Sequence, residues 1–176
     1  MAATEFRQVE DFARYAAAPL PFKVSQSGGP ELVQETLSIA SPPDGPSPAG
    51  GSLKLPYHFE QRRKYVSVVP TSGATRIIEG RPNSLGAWVW DDESGNAPRM
   101  RVSDASGQTF QFASENINWQ GWRYITFHFN PAVGHWGGAK DGIFHLPLRW
   151  DSMFLRDDVG HTSQCTIYLS ASTLMY

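Results

Sequence analysis

The chain has 176 residues, a net charge of −2 and a pI near 6.2, so it lacks the basic surface that phosphate binding requires, and we expect no nucleic acid partner. Only 18% of its residues are charged, whereas 16 are Gly, 13 are Pro and 12% are aromatic, a balance typical of loop-rich all-β proteins. The single cysteine, Cys165, excludes an intramolecular disulfide, and we interpret it as a buried, unreactive thiol.

The N-terminal region predicts little regular structure. Residues 4–18 predict one short amphipathic helix, because their apolar side chains recur at helical spacing. Residues 41–51 read SPPDGPSPAGG and predict a surface loop, since proline cannot donate to a sheet and glycine gives no stiffness.

No signal peptide and no apolar run of roughly 18 residues is visible, so we expect no membrane contact. We expect one domain over residues 1–176, with its sandwich core at 51–176 and the N-terminal segment and Pro-rich loop at 1–50.

The rest of the chain reads as short strands between turn residues. About ten such runs with little helix predict an all-β fold, a two-sheet antiparallel sandwich or jelly roll. The sequence has no internal repeat of roughly 20 to 50 residues, which argues against a propeller or a solenoid. The predicted strands cover residues 52–59, 65–70, 75–78, 85–90, 99–103, 109–112, 122–129, 143–148, 152–156 and 166–175.

Alternation of apolar and polar side chains assigns the faces of two strands. In residues 122–129 the odd positions from 125 onward are apolar and predict the core side. In residues 99–103 Met100 and Val102 take that role. The side chains that point away from the core are then, among others, Tyr124, His128, Arg99 and Arg101.

The strand at residues 85–90 is ambiguous. Either Trp88 and Trp90 pack in the core, or they lie outside and join the polar set. In the second case one sheet face combines flat aromatic rings, on which the C–H faces of sugars stack, with planar donors for their hydroxyls. In the first case the arginines are ordinary solvated strand residues. The array predicted as a glycan-binding groove consists of Trp88, Trp90, Arg99, Arg101, Tyr124 and His128.

Two refinements concern this array. The fixed fork of arginine suits the carboxylate of a uronic acid, so an acidic polysaccharide is a possible ligand class. We also expect Trp136 at the rim of the groove.

Residues 134–142 read GHWGGAKDG and form the second candidate ligand contact. Glycines allow a close backbone approach to a ligand, and charged side chains offer hydrogen bonds. The alternative is that Trp136 plugs the end of the sandwich and the glycines only satisfy turn geometry. The candidate binding residues of this loop are His135, Trp136, Lys140 and Asp141.

Two further motifs are interpreted as structural. In the NWQGW motif, Trp119 precedes a strand and Trp122 begins it, an arrangement that favours anchoring of the core. Residues 90–96 contain Asp91, Asp92, Glu93 and Asn96, which could hold calcium, but the spacing is not that of an EF-hand and a plain acidic turn is favoured.

Catalytic motifs are missing from the sequence. The five histidines form neither an HxH nor an HExxH pattern, and there is no GxSxG, Walker or GxGxxG motif. We therefore expect no catalytic residues and no enzyme. A small lyase remains the rival hypothesis, and it would need Tyr124, His128 and Arg101 to converge.

Three segments together resemble a known family. Residues 85–112 (LGAWVWDDESGNAPRMRVSDASGQTFQF) and 117–129 (INWQGWRYITFHF) are similar to the repeated theme of jelly-roll, galactose-binding-like carbohydrate-binding modules of bacterial polysaccharide-degrading enzymes. Residues 163–176 (SQCTIYLSASTLMY) resemble the last strand of these modules. The resemblance covers about residues 51–176.

The resemblance implies a non-catalytic module that binds a polysaccharide or oligosaccharide and keeps an appended glycoside hydrolase or lyase near it. It further implies a secreted or cell-surface location within a larger bacterial protein. Such modules often hold a structural calcium between the first and last strands. Here Ser170, Ala171 and Ser172 stand where an acidic residue is expected, so we expect no cofactor, with calcium as the alternative. A structural or adhesion sandwich is the other rival.

Overall fold

The computed structural model describes residues 5–27, 37–59, 65–71, 76–156 and 163–176. These residues form thirteen strands and one short 3₁₀ helix, which confirms the all-β prediction. None of the helical segments within this described part is long and apolar enough to cross a membrane. In chain order the elements are β1 (Phe6–Glu10), the 3₁₀ helix (Phe12–Tyr15), β2 (Phe22–Ser27), β3 (Ser38–Ile39), β4 (Ser52–Phe59), β5 (Tyr65–Pro70), β6 (Arg76–Ile78), β7 (Ser84–Asp92), β8 (Ala97–Ser103), β9 (Gln108–Ala113), β10 (Gln120–His128), β11 (His135–Gly137), β12 (Leu148–Arg156) and β13 (Ser163–Met175).

The strands form two antiparallel sheets that pack face to face. Sheet I has the order β10-β7-β13-β4-β3, with β1 beside β13. Sheet II has the order β11-β9-β8-β12-β5-β2, with β6 beside β12. The predicted two-sheet antiparallel sandwich is therefore confirmed.

The core lies between the sheets and is filled by every second residue of each strand. Sheet I contributes, among others, Val89 and Phe127, and sheet II contributes Met100 and Val102. All four side chains are fully buried. Since both inner faces are apolar, the polar positions of each strand lie on two outer faces at opposite sides of the sandwich.

The predicted N-terminal helix is wrong. The structure places β1 along β13, with Phe6 opposite Met175. The pairing between β13 and β4 ends at Ser170, so the rest of this edge of β13 is open to β1. The open edge of β13 offers ladder hydrogen bonds, and these outweigh the weak helical pattern of this segment. With β1, β2 and β3 in the two sheets, the sandwich also extends beyond the predicted range 51–176.

The strand predictions elsewhere succeed except at two places: residues 143–147 form a loop, and β11 was not predicted. The bounds of β4 and β5 are as predicted, and Thr75 of the predicted strand 75–78 lies outside the described residues. The loop backbone is engaged by side chains: His145 N donates to Asp104 Oδ2 at 3.2 Å and Ile143 N donates to Asp141 Oδ1 at 3.0 Å. These bonds replace the ladder bonds that a strand would need.

The Pro-rich segment, residues 41–51, forms a strap across the outer face of sheet I. The hydroxyl of Ser47 bonds that of Ser170 on β13, and Ser170 Oγ donates to the carbonyl oxygen of Gly51 at 2.8 Å. A Cβ at Gly51 would lie 2.3 Å from the Cα of Ala13, so only glycine allows this approach to the 3₁₀ helix. The predicted loop is thus fixed to the sheet at both Ser47 and Gly51.

Candidate functional site

The outer face of sheet II presents an exposed indole beside an arginine. Trp136 on β11 pairs with Thr109 of β9, and 43% of it is exposed. The guanidinium carbon of Arg101 on β8 lies 5.2 Å from the centre of the Trp136 ring and 5.6 Å from that of Tyr65 on β5. Both distances are within cation–π range. We call the surface formed by Trp136, Arg101, Tyr65 and Gln111 the Trp136 face.

The guanidinium of Arg101 is oriented by its neighbour on β9. Arg101 and Gln111 are directly opposite in the ladder, and Arg101 Nε donates to Gln111 Oε1 at 3.1 Å. A guanidinium carries its N–H donors in one rigid plane. The side chain is therefore held in a defined direction over an exposed aromatic ring.

Sequence reasoning missed Tyr65 and Gln111, although alternation could have found them. On β5, Val66 and Val68 are in the core, which places Tyr65 outside. On β9, Phe110 and Phe112 are in the core and leave Gln111 outside in the same way.

Arg99 differs from Arg101 although both point away from the core. Only 9% of Arg99 is exposed, and its Nη1 donates to the carbonyl oxygen of Pro98 at 2.9 Å. The prediction that Arg99 is an accessible surface donor is therefore wrong, because its guanidinium turns back onto the backbone.

The loop after β11 places its candidate residues in different surroundings. His135 pairs with Phe110 and turns toward the core side, with its Nδ1 3.0 Å from the carbonyl oxygen of Val133. Lys140 is exposed and adopts a left-handed backbone with a φ of 54°. Asp141 lies 2.9 Å from His145 Nε2, and hydrogen bonds from Ile143 N and His145 hold the pKa of Asp141 below its usual value. Of the four predicted residues, only Trp136 belongs to the Trp136 face.

A buried carboxylate ties this loop to sheet II. Asp104 is 2% exposed; its Oδ1 accepts hydrogen bonds from Ser106 N at 2.9 Å, Ser106 Oγ at 2.7 Å and Gln108 N at 2.9 Å. Its Oδ2 accepts one from His145 N at 3.2 Å. Burial acts to raise the pKa of Asp104, but these hydrogen bonds, led by that of Ser106, outweigh it and lower the pKa.

Gln108 extends this network to the loop. Its Nε2 lies 3.3 Å from Asp141 Oδ1, and its Oε1 accepts from Gly142 N at 3.1 Å. The backbone of Gln108 also pairs with Gly137, next to Trp136. The position of Trp136 thus depends on a buried polar network that also reaches β9.

The outer face of sheet I carries the other predicted aromatic residues. Trp88 and Tyr124 are directly opposite on β7 and β10, with ring centres 5.4 Å apart. The neighbouring core positions Leu85, Ala87 and Val89 point inward, so Trp88 and Trp90 lie outside, which settles the ambiguity. His128 is exposed at the end of β10.

The prediction of one array is wrong. Trp88, Trp90, Tyr124 and His128 belong to sheet I, whereas Arg99 and Arg101 belong to sheet II. The two sets lie on opposite outer faces of the sandwich, so they cannot line one groove. For the same reason Tyr124 and His128 do not converge with Arg101, as the rival lyase hypothesis requires.

A groove of about 420 Å³ lies on the outer face of sheet I. It runs over β4 and β13, reaches Trp90 on β7 and ends at Pro43 of the strap. Trp90 and Tyr168 meet edge to face there, with ring centres 5.3 Å apart. The sequence offered no sign of this groove, since it depends on the pairing of β4 with β13.

The NWQGW motif is structural in part, as interpreted. Trp119 is half-buried against the core, and the guanidinium carbon of Arg123 lies 5.1 Å from its ring. Trp122 is half-buried opposite Trp90 in the ladder.

The residues present do not fit a structural calcium beside the last strand. Glu10 is opposite Ser172 in the ladder between β1 and β13. Its carboxylate already contacts two cations, Arg14 at 2.9 Å and Arg76 at 2.9 Å. Within residues 90–96, Asp91 is buried and accepts from Ser94 N at 3.1 Å. In the described part of the chain, no group of three or more His, Cys, Asp or Glu side chains is arranged to hold a metal ion.

Comparison with known proteins supports the fold. No protein-family model matches the chain, and no curated protein sequence matches it. The family 30 carbohydrate-binding module of the cellulosomal cellulase Cel9D-Cel44B of Clostridium thermocellum matches with a TM-score of 0.55 and 10% identity, over 96% of each chain. The module TmCBM61, solved in complex with β-1,4-galactotriose, matches with a TM-score of 0.50 and 11% identity, over 97% of this chain and 98% of that one. In fold, therefore, the chain is a β-sandwich of the kind found in carbohydrate-binding modules, as its sequence resemblance predicted.

Proposed function

We propose that the chain is a non-catalytic carbohydrate-binding module that binds a polysaccharide through the Trp136 face. In this proposal it belongs to a larger secreted or cell-surface bacterial protein and holds an appended glycoside hydrolase or lyase near its substrate. The observation that carries the proposal is the exposed indole of Trp136, 43% accessible, with the Arg101 guanidinium 5.2 Å from its ring. The similar fold of two carbohydrate-binding modules supports it.

The chemistry of the Trp136 face fits a sugar. An exposed indole offers a flat apolar surface for the C–H face of a pyranose, and Arg101 and Gln111 lie beside it with polar groups for hydroxyls. The ring is already exposed, so no large rearrangement has to accompany binding.

Replacement of Trp136 by alanine tests this proposal. We expect affinity for the bound glycan to fall at least about tenfold, because the stacking platform is lost. The free energy of unfolding should change by about 1 kcal/mol or less, since 43% of Trp136 is exposed and it lies outside the core. A glycan array would identify ligands, and calorimetric titration with β-1,4-galactotriose and cellotriose would measure affinity.

Phe6→Ala is the matched control. Phe6 is an aromatic residue, 62% exposed, on β1 of sheet I and therefore off the Trp136 face. Its replacement should leave glycan affinity unchanged. Equal affinity of Trp136→Ala and the wild type would remove the Trp136 face from the site. An absence of binding to every glycan would favour a structural or adhesion sandwich, whereas depolymerisation by the isolated chain would favour a lyase.

A second prediction concerns acidic ligands. If the ligand carries uronic acids, Arg101→Ala should weaken binding of uronate oligosaccharides about tenfold or more and affect neutral ones less, because a bidentate ion pair is lost. Arg101→Lys should restore only part of the affinity, since an ammonium keeps the charge but not the planar fork. Equal losses for uronate and neutral oligosaccharides would contradict the acidic specificity while leaving sugar binding in place.

A further inference from the structure

The groove on the outer face of sheet I is built by ladder positions of three strands. On β13, Ile167 and Leu169 are in the core, so Gln164, Thr166 and Tyr168 point outward. Thr166 is directly opposite Pro56 of β4, and Tyr168 is opposite Trp90 of β7. The floor is therefore made of rigid strand residues and not of loops.

The floor combines aromatic and polar groups. Trp90 and Tyr168 are only 7% and 6% exposed, yet both line the groove. The Nε1–H of Trp90 is buried and has no hydrogen-bond acceptor among the residues that the structure describes. An indole N–H can only donate, and leaving a buried donor unpaired is unfavourable; a ligand hydroxyl can accept from it only after the Trp90 ring turns toward the groove, and that bond would then relieve this cost.

The strap closes one end of the groove. Pro43 lines the groove beside Trp90 and Tyr168, and the next outward position of β13, Ser170, is bonded to Ser47 of the strap. A bound chain can therefore extend away from the strap, toward Gln164. A volume of about 420 Å³ lies within the range of small-ligand sites and suits a short oligosaccharide or a chain end.

We propose that this groove is a second carbohydrate site, which takes the end of an oligosaccharide on the side of the sandwich opposite to the Trp136 face. The ligand class rests on the proposed function, but the location rests on the groove itself. Aromatic rings at the floor, a hydroxyl at Thr166 and an amide at Gln164 match the C–H faces and hydroxyls of a pyranose. Lys54 and His58 also line the groove. Because the two sites lie on opposite faces, one molecule could hold two glycan strands at once and bind a polysaccharide matrix with avidity.

Indole N–H resonances measured by NMR distinguish the two sites. Cellotriose and β-1,4-galactotriose are titrated into the wild type, and the signals of Trp90 and Trp136 are followed. We expect both signals to shift, each with its own midpoint. In Trp136→Ala the Trp90 signal should still shift with an unchanged midpoint, because the sites are independent.

Two variants probe the groove itself. Thr166→Tyr fills it from the strand opposite Pro56 and should abolish the shift of Trp90 while leaving that of Trp136. Gln164→Ala should raise the ligand concentration at the midpoint of the Trp90 titration about threefold to tenfold, because one hydrogen bond to the ligand is lost. Gln8→Ala, at an exposed glutamine of β1 outside the groove, should change neither midpoint.

The possible results separate this inference from the proposed function. Loss of the Trp90 shift in Trp136→Ala would show a single site on the Trp136 face and overturn the second site. A Trp90 signal that stays still in the wild type while Trp136 saturates would overturn it as well. A shift of Trp90 alone would instead support the groove and contradict binding at Trp136. If Thr166→Tyr and the wild type gave the same midpoint for the Trp90 signal, that result would also overturn the second site.

Discussion

Replacement of Gly138 by alanine is expected to lower the free energy of unfolding by about 2–4 kcal/mol and to weaken glycan binding at Trp136 at the same time. Gly138 has a φ of +48°, in the left-handed region, and a Cβ there would lie 2.3 Å from the backbone nitrogen of Gln108. That nitrogen is bonded to Asp104 and cannot move without breaking the bond.

The magnitude combines two costs. A left-handed backbone disfavours any L side chain by about 1–2 kcal/mol, and overpacking of a tight contact costs about 1–3 kcal/mol. Here the contact is with backbone, which yields less readily than the end of a side chain. The loop must therefore move off β9, and β11, which pairs there through only three residues, moves with it.

Gly134→Ala is the matched control within the same loop. A Cβ at Gly134 would meet no atom within 4 Å, and its φ is outside the left-handed region. We expect a change of about 0.5 kcal/mol or less. Chemical denaturation of both variants and titration with the glycan would check the pair. Similar stabilities for Gly138→Ala and Gly134→Ala would show that the loop is not docked tightly on β9.

Alternation in the sequence predicted the faces of individual strands well. Ile125, Phe127, Met100 and Val102 are all in the core, as predicted. The signal is reliable there because large apolar and polar side chains alternate without exception. Alternation did not decide the face of Trp88, because both alternating sets in residues 85–90 are apolar or small.

The assignment of strands to sheets could not be predicted in this way. β7 and β8 are consecutive and are joined by only four residues, 93–96, which reads as a hairpin. They nevertheless belong to different sheets, since β7 pairs with β10 and β13 and β8 pairs with β9 and β12. Side-chain alternation contains no information on which strand is the neighbour, so the predicted array merged two opposite faces.

The same limit explains the N-terminal segment. The spacing of Phe6, Val9 and Phe12 predicted a helix, but β1 forms because the open edge of β13 is present in the folded protein. Partners distant in sequence decide the structure of a short segment with a weak local preference. Trp136 was identified from the sequence, but its neighbours Arg101 and Tyr65 could be combined with it only in the folded sheet.

Asp104→Asn should destabilise the protein by about 2–4 kcal/mol at neutral pH, because hydrogen bonds to a buried charged group contribute about 1.5–3 kcal/mol each and several are lost. The amide would place an NH₂ group against N–H donors from Ser106, Gln108 or His145. Asp44→Asn, at an exposed aspartate of the strap, is the control and should change stability by about 0.5 kcal/mol or less.

The effect of Asp104→Asn should depend on pH with a definite sign. The pKa of Asp104 is lowered in the folded protein from an ordinary value of 3.8, so the ionised carboxylate stabilises the native state. Its contribution is complete above the unfolded value and is lost as the pH falls through the folded one. The difference in unfolding free energy between the wild type and Asp104→Asn should therefore be constant from about pH 7 to pH 5 and shrink below about pH 4. Urea denaturation across this range measures the difference. A difference that grows toward acid pH would mean that the carboxyl is protonated in the native state and that the network works through a neutral acid.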